Sequence, residues 1–455
     1  MSLIICGAGR VGYYLTRYLS KAGYAVTVID SDPDIIRDIS EELDVQAVCG
    51  RASHPSVLVR AGAESADVIL ALTQIDEMNM AICEVVHALF PPKKKVARIR
   101  NHAYLMPRWS HLFDAGNLSI DHVISPELEV AESINESLRI PGSFSAQKMA
   151  SGQVYIIGAR CRANSPIVNT PLSHIIHLFP QLDATVLGIL RKGQAHIPKS
   201  DDVILEDDDI YVCIPASQTS LLMRAFGLEN QDSQRLIILG GGQIGYNLAR
   251  IVEKDSNFVD VRIIERDMVR AQYVSEELSD ATVICGDALD AEIIEEAGTS
   301  QADLVVALTQ DDRVNALAGL LAKNHGAHKV LSLINNEAYA PLVPRLGIDG
   351  VINPRAVTLS RVMEALKGEA INQVYSLNEN LGEVLEVRIA ESTALIGQSV
   401  GDIHRGYGVR IGCLLRAEGF VYPSDATILR SGDRVIMLVP LSLRQKIHVA
   451  LGMTL

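Results

Sequence analysis

The chain lacks four things whose absence narrows its function. It has no apolar stretch of the roughly 20 residues that a membrane-crossing helix needs, so any membrane role requires a partner. It has no excess of positive charge: 41 Lys plus Arg stand against 55 Asp plus Glu, a net charge of -14, which excludes a nucleic-acid backbone as the ligand. The short Lys93-Lys94-Lys95 run between Pro91-Pro92 and an apolar segment reads as a solvated loop. It has no Cys-x-x-Cys pair. Its seven cysteines, Cys6, Cys49, Cys83, Cys161, Cys213, Cys285 and Cys413, are scattered through strand-like runs, as expected of reduced thiols in a cytosolic protein. The fourth is a basic, apolar leader: a strand begins at once with Leu3-Ile4-Ile5-Cys6, so none is expected, and a cytoplasmic location is expected with it.

Catalytic signatures are missing too. No Gly-x-x-x-x-Gly-Lys phosphate loop, His-Glu-x-x-His helix or Tyr-x-x-x-Lys pair occurs. Gly397-Gln398-Ser399-Val400-Gly401 fits the nucleophile-elbow spacing, but nothing like it stands at the matching place in the first half, Asn169-Thr170-Pro171, so it reads as a turn. Asp207-Asp208-Asp209 reads as an acidic turn rather than a cation site, and His174 and His177 as packing or surface residues. The expectation is a binding protein without catalysis, with an NAD-dependent dehydrogenase-like enzyme as the alternative and no metal site.

What is present is a repeat. Shifting the chain by roughly 230 residues superposes Leu3 to Gly12 on Leu236 to Gly245, Ala66 to Gln74 on Ala302 to Gln310, and Val123-Ile124-Ser125-Pro126 on Val351-Ile352-Asn353-Pro354. Each copy continues into short β-branched runs, Gln153 to Ala159 and Glu383 to Ile389, without long helical periodicity. The fold class expected is α/β: two tandem Rossmann-like parallel-sheet lobes, each followed by a small α+β lobe. The expected boundaries are 1–140, 141–226, 234–370 and 371–455, with Glu229 to Gln234 as the linker.

Each repeat opens with an apolar strand, a Gly-x-Gly-x-x-Gly turn and a helix. In Gly7-Ala8-Gly9-Arg10-Val11-Gly12 and Gly240-Gly241-Gly242-Gln243-Ile244-Gly245, the first glycine makes the turn, the second admits a pyrophosphate and the third lets the helix pack on the sheet. A carboxylate, Asp30 or Glu265, ends the second strand, where it can accept ribose hydroxyls and repel a 2′-phosphate, disfavouring NADP. Thr73-Gln74 and Thr309-Gln310 follow the fourth apolar strand at the ligand-binding edge. Asp76, Asn79, Asp312 and Asn315 are read there either as ligand-facing groups or as helix N-caps. Arg98 and Arg100 are within reach of phosphates in the first copy, with Ser332 and Ile334 read as their counterparts, while Arg266 beside Glu265 is placed to stack on an adenine. The two sites are expected to prefer different nucleotides.

Together these motifs resemble the TrkA family of bacterial potassium-uptake regulators over essentially the whole chain. Each half resembles an RCK (or KTN) unit, a TrkA-N lobe followed by a TrkA-C lobe. The resemblance implies a cytoplasmic ring, usually a homotetramer, attached peripherally to the inner membrane under a TrkH- or TrkG-type potassium-translocating subunit. It implies NAD(H) and ATP or ADP as ligands, with Gly7 to Val11, Asp30, Thr73, Gln74 and Arg98 lining the first site and Gly240 to Ile244, Glu265 and Thr309 the second. The chain departs from the family pattern at Gly50-Arg51-Ala52, where an acid usually follows the glycine as in Gly286-Asp287-Ala288, and at the arginines missing near Ser332. The helices opening at Pro126 and Pro354 are the candidate movers between lobes.

Overall fold

A computed structural model describes the chain except for residues 91–93, 114–116, 141, 228–233, 255–257, 337, 340–341, 367–370, 379–380 and 453–455. The linker read at Glu229 to Gln234 therefore lies, except for Gln234, outside the described residues.

The first lobe alternates strand and helix: β1 (Ser2–Cys6), α1 (Arg10–Lys21), β2 (Ala25–Asp30), α2 (Pro33–Glu42), β3 (Gln46–Cys49), α3 (Pro55–Arg60), β4 (Val68–Ala71), α4 (Asp76–Leu89), β5 (Lys94–Arg98) and β6 (His122–Ile124). Its sheet has the order β3-β2-β1-β4-β5-β6, every pair parallel, so the reversal of direction falls between β1 and β4 at the glycine turn. Helix α5 (Pro126–Leu138) then leads to β7 (Ser143–Met149), β8 (Val154–Arg160), α6 (Leu172–Leu178), β9 (Thr185–Arg191), β10 (Gln194–His196), β11 (Asp209–Pro215) and α7 (Thr219–Ala225). These strands form an antiparallel sheet ordered β10-β9-β11-β8-β7.

The second half repeats this architecture with β12 (Gln234–Leu239), α8 (Gln243–Val252), β13 (Phe258–Glu265), α9 (Met268–Glu277), β14 (Thr282–Cys285), α10 (Ala291–Glu296), β15 (Leu304–Ala307), α11 (Asp312–Asn324), β16 (Lys329–Leu333) and β17 (Gly350–Ile352). Helix α12 (Pro354–Leu366) connects to β18 (Ile371–Asn378), β19 (Gly382–Arg388), α13 (Val400–Tyr407), β20 (Arg410–Arg416), β21 (Gly419–Val421), β22 (Arg434–Val439) and α14 (Arg444–Ala450). Both sheets reproduce their counterparts, as β14-β13-β12-β15-β16-β17 and β18-β19-β22-β20-β21. The expected fold class is thus observed.

The two halves exchange helices. The apolar stripe of α5, Val130, Ala131, Ile134 and Leu138, is buried with Leu236, Ile238, Leu248 and Val252 of the second lobe. That of α12, Leu359, Val362, Met363 and Leu366, joins Leu3, Ile5, Leu15 and Leu19 of the first. A lysine spans each exchange: one reaches the last turn of α12, where carbonyls lack intrahelical donors, and the other reaches the first residue of β7. Lys94 Nζ donates to Ala365 O at 3.1 Å, and Lys329 Nζ donates to Ser143 O, just beyond α5, at 2.6 Å. Burial lowers the Lys329 pKa to about 8. Lys95 is buried and pairs with Asp121 at 3.0 Å. The solvated-loop reading of the lysine run is therefore corrected: Lys94 and Lys95 open β5, and Lys93 lies outside the described residues. Lys94 is held by the exchanged helix and Lys95 by Asp121 of its own lobe.

No helix among the described residues is long and apolar enough to cross a membrane.

Candidate functional site

The two glycine turns lie at the carboxyl edges of the parallel sheets, where an open α/β sheet binds its ligand. Gly7 and Gly240 have φ of +105° and +111°, backbone that L side chains rarely adopt. A Cβ on Gly12 would lie 1.9 Å from the Gly7 carbonyl oxygen, and one on Gly245 2.0 Å from that of Gly240. The third glycine is thus required by helix-to-turn contact. Around Gly9 and Gly242, by contrast, a Cβ would meet nothing within 4 Å. These two residues precede α1 and α8 with no side-chain cap, which leaves the first N–H groups of each helix for an anion. Ala8, Gly12, Gly241 and Gly245 are buried, Val11 and Ile244 half-buried, and Arg10 and Gln243 exposed. The loops therefore have the open cradle that a nucleotide's phosphates require.

The carboxylates hold their loops. Asp30 accepts from Ala8 N at 2.7 Å and Asp32 N at 3.0 Å; Glu265 accepts from Gly241 N at 2.8 Å and Asp267 N at 2.9 Å. Each oxygen takes one backbone N–H and keeps a lone pair, so either acid can still accept a ribose hydroxyl.

Thr73 and Thr309 are held by buried asparagines. Asn79 Oδ1 accepts from Thr73 N and Oγ1 at 2.8 and 2.7 Å, while its Nδ2 donates to Arg98 O at 2.8 Å. Asn315 makes the same contacts with Thr309 N and Oγ1 and with Leu333 O, at the same distances. Asp76 accepts from Arg100 N and Asn101 N, and Asp312 from Asn335 N and Asn336 N. These four residues are thus neither N-caps nor free ligand groups: they tie the loop after the fourth strand to the fifth. Gln74 and Gln310 are exposed beside them.

These matched bonds also set the repeat register. The counterparts of Arg98 and Arg100 are Leu333 and Asn335, one residue on from the Ser332 and Ile334 read in the sequence, where two small residues, Ala97 and Ser332, face the same strand positions. Arg98 Nη2 and Arg100 Nε converge on Glu127 Oε1 of α5 at 2.8 and 3.1 Å. Arg98 Nε and Glu127 Oε2 are buried without partners. The residue matching Glu127 is Arg355, whose guanidinium lies 5.5 Å from the Tyr14 ring of the first lobe.

In the second copy Arg266 is exposed. The residue sequence reasoning missed is Arg270 on α9, whose Nε donates to Gly241 O at 2.7 Å. No motif in the sequence marks it.

The remaining candidates are structural. Ser399 caps α13 by accepting from Asp402 N at 3.1 Å. Asp208 and Asp209 pair with Arg191 and Arg160 at 2.7 and 2.6 Å. His174 and His177 are exposed. Five cysteines are buried, while Cys49 and Cys285 are exposed at the ends of β3 and β14. Among the described residues, no group of three or more His, Cys, Asp or Glu can hold a metal ion.

The TrkA-N domain family matches residues 3–126 and 236–354, and the TrkA-C domain family matches 157–227 and 384–448. The Trk system potassium uptake protein TrkA of Azorhizobium caulinodans is 40% identical over 437 residues, covering 96% of this chain and 95% of that one. The protein of the same name from Vibrio alginolyticus is 34% identical over 442 residues, covering 96% of each. Among solved structures, the GsuK RCK domain has a TM-score of 0.62 at 18% identity, covering 99% of this chain and 95% of that one. A GsuK channel bound to NAD has a TM-score of 0.61 at 18% identity, covering 99% and 79%. With both domain families matched in duplicate and full-length relatives at this identity, the chain belongs to the TrkA family of Trk-system potassium-uptake proteins.

Proposed function

We propose that the protein is the cytoplasmic, nucleotide-sensing regulatory subunit of a Trk-type potassium uptake system, gating a TrkH- or TrkG-type membrane subunit without catalysing a reaction. Its units are the four segments 1–140, 141–226, 234–370 and 371–455, and it works as a homotetrameric ring held at the inner membrane by its partner. The first site, Gly7 to Gly12, Asp30, Thr73, Gln74, Arg98 and Arg100, takes NAD(H) or an adenine nucleotide. The second, Gly240 to Gly245, Glu265, Arg266 and Thr309, takes a nucleotide of different preference.

One observation carries this reading: the same loop-and-acid geometry occurs twice, and each site is joined through an exchanged helix to the other half. A ligand can move the partner only by binding one conformation more tightly than another, with coupling of about 1–3 kcal/mol. Glu127 supplies such a difference. It holds Arg98 and Arg100 where a nucleotide's phosphates would compete for them, and it rides on α5, which packs in the second lobe. The GsuK channel solved with NAD and GsuK solved with ADP offer the same fold as a host for both ligand kinds.

The test is calorimetric titration of the full chain with NADH, NAD, ATP and ADP, on the wild type and on Asp30→Ala and Glu265→Ala. An absorbance check follows NADH. Each substitution is expected to weaken one site separately, with no cofactor consumed. Steady NADH oxidation would replace the sensor with a dehydrogenase-like enzyme, and absence of binding would leave a scaffold.

A further inference from the structure

The second glycine loop has an arginine that its counterpart lacks. Aligning Asp30 with Glu265 places Ile35 of α2 opposite Arg270 of α9, and aligning the glycine turns places Arg10 of α1 opposite Gln243 of α8. Each copy thus carries an arginine at its loop, but from a different helix. Arg10 is exposed at the start of α1, whereas Arg270 is half-buried and fixed. Its Nε donates to Gly241 O at 2.7 Å, and its guanidinium lies 5.6 Å from the Tyr246 ring and 4.9 Å from the Tyr273 ring.

One group of this side chain is unused: Arg270 Nη2 is buried with no hydrogen-bond partner. An unpaired buried N–H of a cation is costly, and its natural complement is an anionic oxygen. The bond to Gly241 O places the guanidinium at the glycine loop. Glu265, at the strand end, has both oxygens already turned to backbone N–H groups of Gly241 and Asp267. The guanidinium thus stands at the glycine loop, where the pyrophosphate of a bound nucleotide would lie.

We propose that Arg270 is a ligand-contacting, specificity-setting residue of the second site, where its free Nη2 takes a phosphate oxygen of a bound adenine nucleotide. The two tyrosines hold the guanidinium in place, so the site meets phosphate with a preset donor. This rests on the two-site nucleotide reading and adds to it the residue that makes the second site unlike the first.

The experiment is titration of the full chain with ADP at low and moderate salt, on the wild type, Arg270→Ile, Arg270→Gln and Glu265→Ala, with thermal melts to establish folding. Arg270→Ile installs the first-copy residue; Arg270→Gln keeps a planar donor without charge. Both are expected to weaken the Glu265-dependent site at least tenfold, to flatten its salt dependence and to leave the Asp30-dependent site unchanged. Wild-type affinity in Arg270→Gln would make the arginine a packing residue and overturn the proposal while two-site binding stands. So would a single ADP site insensitive to Glu265→Ala. No ADP binding to the wild type would overturn the two-site reading with it.

Discussion

The two parallel-sheet lobes are the same machine where the backbone is concerned and different machines where side chains face outward. Asn79 and Asn315 make matching bonds, Asp30 and Glu265 hold their loops alike, and Gly12 and Gly245 are each pressed against the carbonyl of their own loop's first glycine. The arginines proposed as ligand contacts share nothing: Arg98 and Arg100 on β5 and its loop in one copy, Arg270 on α9 in the other. The bonds that close each loop onto its neighbouring strands would leave a buried group unpaired if lost, and these recur in both copies. Side chains aimed at solvent or ligand are under no such constraint. The surroundings differ as well. The first lobe shares one continuous core with α12 and the second small lobe, whereas the first small lobe has a core of its own and a further one shared with the second small lobe.

That asymmetry of cores is most severely tested by the third glycines. A methyl on Gly12 or Gly245 collides with a carbonyl that cannot withdraw without opening the turn, and we expect Gly12→Ala and Gly245→Ala each to cost at least about 3 kcal/mol. The consequences should spread differently. Hydrogen exchange followed by mass spectrometry should show Gly12→Ala loosening the first lobe together with α12, β19 and β22, because these share its core. Gly245→Ala should loosen the second lobe and α5 and spare the second small lobe. Equal exposure of β19 and β22 in both variants would break the comparison.

The asparagine latches test the shared part. Asn79→Ala strands the Thr73 N–H and the Arg98 carbonyl, and Asn315→Ala strands the Thr309 N–H and the Leu333 carbonyl. At about 1–3 kcal/mol for a buried group left unpaired, each variant should lose about 2–3 kcal/mol, read from the urea midpoint. The two losses should agree closely. A loss confined to one variant would mean that one copy's latch is dispensable.

Much of this was legible in the residues. Strand, glycine turn, helix and spaced acid have fixed local patterns, and their recurrence settled the repeat. The exchange of α5 and α12 was not, because periodicity tells which face of a helix is apolar but not which lobe covers it. Lys94 and Lys95 were misread for the same reason: their partners Ala365 and Asp121 are distant in sequence. The one-residue slip at Ser332 arose because only the bonds of Asn79 and Asn315 fix that register. Arg270 belongs to no motif, and only the geometry of Gly241 and the two tyrosines singles it out.

The smallest effect concerns the seam between halves, where α5 and α12 meet unequally. Glu129 of α5 stands where α12 has Val357, and Arg361 of α12 stands where α5 has Ser133. Glu129 is largely buried and faces Arg361 at 4.0 Å, with Glu132 also near that arginine at 3.7 Å and Glu364 at 3.0 Å. Burial pushes the Glu129 carboxyl up to about 7 despite Arg361. An acid whose pKa is raised by folding binds more protons in the folded state, so its contribution to stability falls as pH rises through the window from its ordinary value of 4.5 to about 7. Glu129→Gln removes that dependence. We expect the variant to gain about 1–2 kcal/mol relative to wild type at pH 8 compared with pH 5, measured as the difference in urea midpoints at the two values. Arg361→Met should act in the opposite sense, steepening the wild-type loss, because Glu129 would then face Glu132 and Glu364 with no cation between them. If the midpoints of Glu129→Gln and wild type run parallel from pH 5 to pH 8, then Glu129 stays charged at the seam, and it is the arginine on α12 rather than a proton that joins the two halves.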